Sequence, residues 1–545
     1  MKPAPWKPSV ELSPRETRLL KVIKQKTLYG FLRKHRHELF DDGFQAEMAE
    51  MYTDVPGNPP TSPALLAMVT LLQAYTGLSD HDAVVASQTD LKWRLVLGLL
   101  DSPELGDAPF SQGALPGFRR RMMLHNNDRR LLERTVELAK TTGDFGYKPL
   151  RLALDSSPLF TASRVEDTFN LLGHAARKVL AAAAAVLGRP AEELSALADE
   201  ARIPLLAGDP QKAGGSLKAR LDVAWEKPEE RARALSRLVQ ELEALQQWLL
   251  EQSILTVEAV AAAWAVVEGI LGQDVEPDPD TGAPQVKQGV APERRPSVED
   301  EDARHGRKSR SQKFVGYKRH LAFDLVSKLI LAVGVAPANK PEAAITGEVS
   351  ADLAKVLAVG HGSAVAEHIT SLSIDRAYLV SDLTREVRQA GGLLLCRALS
   401  AASLGGRFTK AAFTMAFPGP IGSVTCPAGV TVTASLGTTS NFPKAKCQAC
   451  PQRAACTASQ RGRSVSIHPD EPFHQELRAR QATPEGRAAL RERTLVEHAI
   501  SRQVSVQGRK ARYKGTRKNL LATRICACVV NLHTLDHAQR QRDAV

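Results

Sequence analysis

Apolar residues recur at helical spacing through the first quarter of the chain. From Leu12 to about Asp144, stretches such as PALLAMVTLLQAYTGLSDHDAVVASQTDLKWRLVLGL alternate apolar and polar faces with a period near 3.6 residues. Ser13 before Pro14, Ser79 and Asp90 stand where N-caps are expected, because a short oxygen-bearing side chain satisfies the free N–H groups of a first helical turn. The period then changes. LRLALDSSPLF, residues 150–160, reads as a β run, and a charge-rich helical pattern follows from about Val165 to Gly272. Residues 273–304, rich in Pro, Asp and Gly, read as a loop or linker. Two strand-like runs come next, KFVGYKRHLAFDL and SKLILAVGVAPAN, with a turn at Asp324 to Ser327. A helix from about Ala343 to Val359 precedes the strand that delivers Asp375. Residues 391–466 are β-like and turn-rich, and after Pro472 the pattern is helical again. The first strand must therefore pair with strands far along the chain, and the helices between them read as an insertion.

With 545 residues, 43% hydrophobic and 24% charged, the chain has material for a sizeable core and for more than one domain. Its formal charge of +12 favours an anionic polymer as partner. Arg119, Arg120 and Arg121 form one basic cluster, readable as a solvated face or as phosphate contacts. The segment after Pro472 forms a longer one that includes Arg493, Arg502, Arg512 and Lys514. No apolar run is long enough to span a bilayer, so no membrane partner is expected. MKPAPWKPSVELSPRE lacks the apolar stretch of a secretory signal, so a cytoplasmic location with reduced cysteines is expected.

Three acids stand out by their settings. Asp155 and Asp375 lie where an apolar β run meets a polar turn, and Glu497 lies in a strongly basic helical segment. Each has a plain alternative. Asp155 precedes Ser-Ser-Pro and reads equally as a turn residue, Asp375 as a cap on the next helix, and Glu497 as the salt-bridge partner of Arg493 at i−4. Asp382 is a rival for the role of Asp375. The order strand, strand, helix nevertheless fits a ribonuclease-H-like core, in which such carboxylates hold two divalent metals roughly 4 Å apart for phosphodiester chemistry. Lys313, Tyr317, Lys318 and His320 lie along the neighbouring strand; Tyr317 and His320 are more simply structural.

Of seven cysteines, Cys426, Cys447, Cys450 and Cys456 cluster in the sequence. Four thiolates in reach of one point would make a tetrahedral zinc site, and the alternative is a set of buried free thiols. Lys444, Lys446 and Arg453 lie among them. Cys396, Cys526 and Cys528 read as core residues.

Several stretches together resemble the DDE transposases of bacterial insertion sequences, in the subgroup with a helical N-terminal transposase domain. They are RKHRHELFDDGFQAEMAEMY, LLQAYTGLSDHDAV, LALDSSPL with EDTFNLLGHAARKVL, and DARHGRKSRSQKFVGYKRHLAFD followed by VAPAN. The resemblance implies an α+β or α/β fold with an RNase-H-like mixed sheet core assembled from residues 149–165, 305–390 and 472–535. A helical N-terminal DNA-binding domain (1–148), a helical insertion and linker (166–304) and a β-rich, cysteine-containing insertion (391–471) complete the expected organisation. Asp155, Asp375 and Glu497 become the first, second and third catalytic acids, binding Mg²⁺ or Mn²⁺. Arg119, Arg120, Arg121, Lys313, Lys318, Arg493, Arg502, Arg512 and Lys514 become the expected DNA contacts. The implied activity is binding of terminal inverted repeats with metal-dependent cleavage and strand transfer of double-stranded DNA by a homodimer. The alternative is a catalytically inactive DNA-binding protein derived from such an enzyme. Two departures stand out: Ala377 replaces glycine in the Asp-x-Gly-Tyr text, and Leu490 and Val504 replace the tyrosine and lysine expected around Arg493 and Glu497.

Overall fold

β1 (Leu150–Phe160) is the axis on which the fold is built, because Leu152, Ala153 and Leu154 bury apolar side chains on both of its faces. With β2 (Arg304–Arg307), β3 (Lys313–Asp324), β4 (Ile330–Pro337), β5 (Ile369–Ser373) and β6 (Leu393–Leu395) it forms a six-stranded mixed sheet in the order β2-β3-β1-β5-β6. β4 lies on the same edge of β3 as β2, farther along the strand. β3 is antiparallel to β1, β2 and β4, whereas β5 runs parallel to β1 and β6 parallel to β5. The computed structural model describes residues 2–24, 27–53, 58–102, 108–207, 217–221, 223–309, 311–360, 362–399 and 405–544.

β3 changes partner at Gly316, which has φ 142° and faces Phe160 of β1. A Cβ there would meet the Leu159 carbonyl oxygen at 2.3 Å, so only glycine fits this close approach. The β3–β4 turn falls where the sequence places it. The Asp324 carboxylate closes it by accepting from the Ser327 N–H at 2.8 Å and hydroxyl at 2.6 Å.

The N-terminal helices start at the expected caps. Ser13 and Glu16 form a reciprocal capping box, Ser79 accepts from the Asp82 N–H, and Asp90 accepts from the Lys92 N–H. Their apolar faces join one continuous core with the sheet and with three later helices: α1 (Thr346–Leu357), α2 (Thr494–Gln507) and α3 (Thr516–Asp543). α3 is central to that union. Its Asn531 carbonyl accepts from the Ile330 N–H of β4 at 2.8 Å, and its amide donates to Ile330 O and to Thr135 Oγ1 of an N-terminal helix. Arg524 of the same helix pairs with the buried Asp128 and, at 2.5 Å, with Asp352 of α1.

Two smaller cores stand apart. One is built on the helices Thr168–Val186, Pro228–Glu251 and Glu258–Asp274. The other gathers Phe413, Val424, Ala434, Phe442, Val465 and Ile467 under short strands and helices.

Residues 273–304 are more ordered than a linker. They contain a small hairpin, Val275–Pro277 with Pro284–Val286, and then a buried strap. Asp300 is fully buried, accepting from Thr161 Oγ1 at 2.6 Å, from the Tyr317 hydroxyl and from the Gly515 N–H. Asp302 accepts from the Thr516 N–H, and Glu299 pairs with Lys178 and Lys514. Acidic, Pro-rich composition signals a loop, but each of these acids has a specific donor from a distant part of the chain, which composition does not reveal.

Candidate active site

Asp155 sits midway along β1, opposite Leu321, where the buried half of the strand gives way to polar Ser156 and Ser157. Asp375 follows β5 by two residues, and Glu497 lies in the first turn of α2. The three carboxylates line one cavity of about 450 Å³, together with Arg307, Lys308, Phe314, Lys318, Glu342 and Arg493. Asp382 is absent from that lining and pairs instead with Arg385 on the surface.

The acids differ in environment. Asp155 is mostly buried, and burial raises its carboxyl above the ordinary range; Arg493 and the Ser156 N–H pull it down, and nearby Glu497 pushes it up. The Arg493 guanidinium reaches Asp155 Oδ2 at 3.0 Å and lies 3.8 Å from Glu497 Oε1. Asp375 is exposed and caps a short 3₁₀ turn, accepting from the Arg376 N–H at 2.7 Å. Glu497 is more than half exposed. Beneath Asp155, the Tyr378 hydroxyl and His320 Nδ1 share a hydrogen bond of 2.7 Å. Burial holds the His320 imidazole down to about 3, hence neutral, and raises the Tyr378 hydroxyl far above its usual range, with the Asp155 charge adding to it.

Carboxylates are hard oxygen donors of the kind Mg²⁺ and Mn²⁺ prefer, and a shared cavity walled by cations suits a metal-bridged phosphate. The donor set therefore fits. Among the described residues, however, no three His, Cys, Asp or Glu side chains are gathered into a metal-binding group. At the acids themselves, Asp375 accepts from a backbone N–H and the cation facing Asp155 is Arg493.

The remaining expected contacts are distributed widely. Arg119 is held by Asp80, Arg121 stacks over Tyr52, and Arg120 is exposed. Lys318 pairs with Glu342 at 2.9 Å inside the cavity, whereas Lys313 is exposed on β3. Arg502 donates to Thr534, Arg512 to Leu78 O, and Lys514 is paired with Glu299. Tyr317 and His320 are fully buried structural residues. Cys426, Cys447, Cys450 and Cys456 line a separate cavity of about 250 Å³, Cys396 and Cys528 are buried in the main core, and Cys526 is buried as well. Arg307, Lys308 and Glu342 were not singled out by sequence reasoning. For the first two the signal was present as the basic run after the acidic strap; Glu342 carries none.

The fold and cavity thus define a basic, mixed α/β protein with three acids from separate elements converging on one cleft. A transposase DDE domain model matches residues 425–535, which include Glu497, and a transposase domain (DUF772) model matches residues 19–111. These two matches, to separate parts of the chain, support a DDE-type transposase of an insertion element. Neither a curated protein nor a solved structure matches it.

Proposed function

We propose that the chain binds the terminal inverted repeats of its element and performs metal-dependent strand cleavage and strand transfer, with Asp155, Asp375 and Glu497 as the catalytic acids. The observation that carries this reading is their convergence on one cavity from β1, from the turn after β5 and from α2. An antiparallel β4-β3-β1 run continued by two strands parallel to β1 supports an RNase-H-like core. Divalent metal ions bound by the three acids would supply Lewis-acid activation of the attacking and leaving oxygens. The chain's own residues do the rest. Arg493 balances Asp155 and Glu497, and Lys318 and Arg493 put positive charge against the phosphate. Tyr378 and His320 fix the floor under Asp155. Double-stranded DNA is the partner, and a homodimer lets one protomer hold an end while the other cuts it.

The second reading, a DNA-binding derivative without activity, is favoured by Arg493 occupying the face of Asp155. A linear duplex carrying the element's own end, incubated in Mg²⁺ and in EDTA, separates the two. Cleavage at the element boundary is expected in Mg²⁺ only, abolished by Asp155→Ala and Asp375→Asn and retained in Asp382→Asn, with binding intact throughout. Binding without cleavage by the unmutated protein would favour the inactive derivative.

A further inference from the structure

One edge of the acidic cavity carries exposed cations that form no ion pair among the described residues. Arg307 ends β2 and lies directly opposite Lys313 of β3, with Lys308 following it. All three are exposed, and Arg307 and Lys308 line the cavity that holds Asp155, Asp375 and Glu497. Like charges directly opposite one another across an antiparallel pair destabilise it. Elsewhere around this region cations are matched: Lys318 by Glu342, Arg493 by Asp155, Arg304 by Glu293. Among the described residues no carboxylate pairs with Arg307, Lys308 or Lys313.

The two strands that present them are tied in place. The Lys308 N–H donates to Gln312 O at 2.9 Å, and the Gln312 N–H donates to Ser309 Oγ at 3.1 Å. Gly306 is pressed against Ala338, where a Cβ would meet the Ala338 oxygen at 2.6 Å. Phe314 is buried edge-on to Phe160 of β1, 5.9 Å between ring centres. The uncompensated cations are therefore held at a set position relative to the strand that carries Asp155.

Resting on the transposase reading, we infer that the β2–β3 hairpin is a phosphate grip: Arg307, Lys308 and Lys313 hold the DNA backbone flanking the bond to be cut. A phosphodiester is the anion that fits. It must approach three carboxylates that repel it, and an Arg fork with two Lys point charges offsets that repulsion without reading sequence.

Fluorescence anisotropy on the full chain in EDTA tests this apart from cleavage. The probes are a duplex bearing the element end and a scrambled duplex, each measured over a salt series. Arg307→Ala/Lys308→Ala should weaken binding to both duplexes alike and lower the salt-dependence slope by about 0.9 per charge removed, roughly 1.8 in all. Arg231→Ala/Arg233→Ala, which removes two exposed charges from the helix Pro228–Glu251, should leave the slope unchanged. Wild-type binding with an unchanged slope in the hairpin variant, or an equal fall in the control variant, would overturn the grip and leave the transposase reading standing. Failure of the wild type to bind either duplex would overturn both. A circular dichroism melt of each variant confirms that the fold is intact.

Discussion

Arg493 joins two of the three acids, donating to Asp155 at 3.0 Å and lying 3.8 Å from Glu497 one turn along α2. A mostly buried carboxylate needs a counter-charge, and here the protein supplies its own. Arg493 is thus a resident cation at the face of Asp155 where a divalent ion is expected to bind.

Removing it exposes that competition. Arg493→Ala leaves Asp155, among the described residues, with the Ser156 N–H as its donor, and should cost about 1–3 kcal/mol of stability, measured by urea unfolding in EDTA. Mg²⁺ should then restore more stability to the variant than it adds to the wild type, because an ion that binds only the folded state stabilises it in proportion to its affinity. Equal Mg²⁺ effects on the two proteins would show that Arg493 does not compete at this face.

Asn531 makes a second, purely structural prediction. It is fully buried, and its carboxamide satisfies both backbone groups of Ile330 and the Thr135 hydroxyl, so α3, β4 and the N-terminal helices meet at one side chain. Asn531→Leu strands the Ile330 N–H and C=O in the core. The expected loss is about 2–5 kcal/mol in denaturant unfolding, one orphaned group costing roughly 1–3 kcal/mol. A change below about 0.5 kcal/mol would mean the three elements are not coupled there.

How much of this was legible in advance varied with the range of the interaction. β1, the β3–β4 turn at Asp324 and the caps at Ser13, Ser79 and Asp90 are local, written in periodicity and short-range hydrogen bonding. Asp375 illustrates the limit. Its reading as a helix cap and its reading as a site acid were set against each other, yet the structure has it capping Arg376 and lining the cavity at once. Arg119 reads in the sequence as one of three equivalent basic residues, whereas in the fold Asp80, far off in sequence, holds it. The acidic strap around Asp300 was hidden for the same reason: its donors, Thr161, Tyr317 and Gly515, come from elements that only the folded sheet brings together.

His320 predicts a pH dependence. Burial lowers its folded pKa to about 3, with Lys318 a minor contributor, against an ordinary value near 6.5. Because the unfolded chain binds the proton first, stability from this residue is fully present above pH ~6.5 and is lost as pH falls towards 3. The slope is at most about 1.4 kcal/mol per pH unit. His320→Gln, which keeps a hydrogen-bonding group for Tyr378, should flatten the stability profile between pH ~6.5 and ~4.5 relative to wild type, while carboxylates elsewhere contribute equally to both. Parallel profiles would place the titration on other groups.

The cysteine-lined cavity yields the last prediction, and it rests on how little else holds that region together. Between Phe413 and Ile467 the buried apolar core has six members, too few for short strands and one-turn helices to be stable without a staple. Cys426 enters the cavity at the end of strand Ile421–Thr425, Cys447 and Cys450 flank the end of helix Lys444–Gln448, and Cys456 closes the next short helix. Burial raises the Cys456 thiol, Arg463 opposes that rise, and the other three cysteines add to it, so each of them lies near enough to Cys456 to act on it. The thiols do not form a closed metal group as they stand, but zinc would draw them together, and Lys446, Arg453 and Arg463 beside them would offset the charge of four thiolates. We expect one zinc per chain by elemental analysis of protein purified without chelator. Cys450→Ser should lose it and open residues 413–467 to limited proteolysis while the main core survives. Zinc-free wild-type protein whose four thiols react freely, with the region still protease-resistant, would instead leave apolar packing alone as the staple.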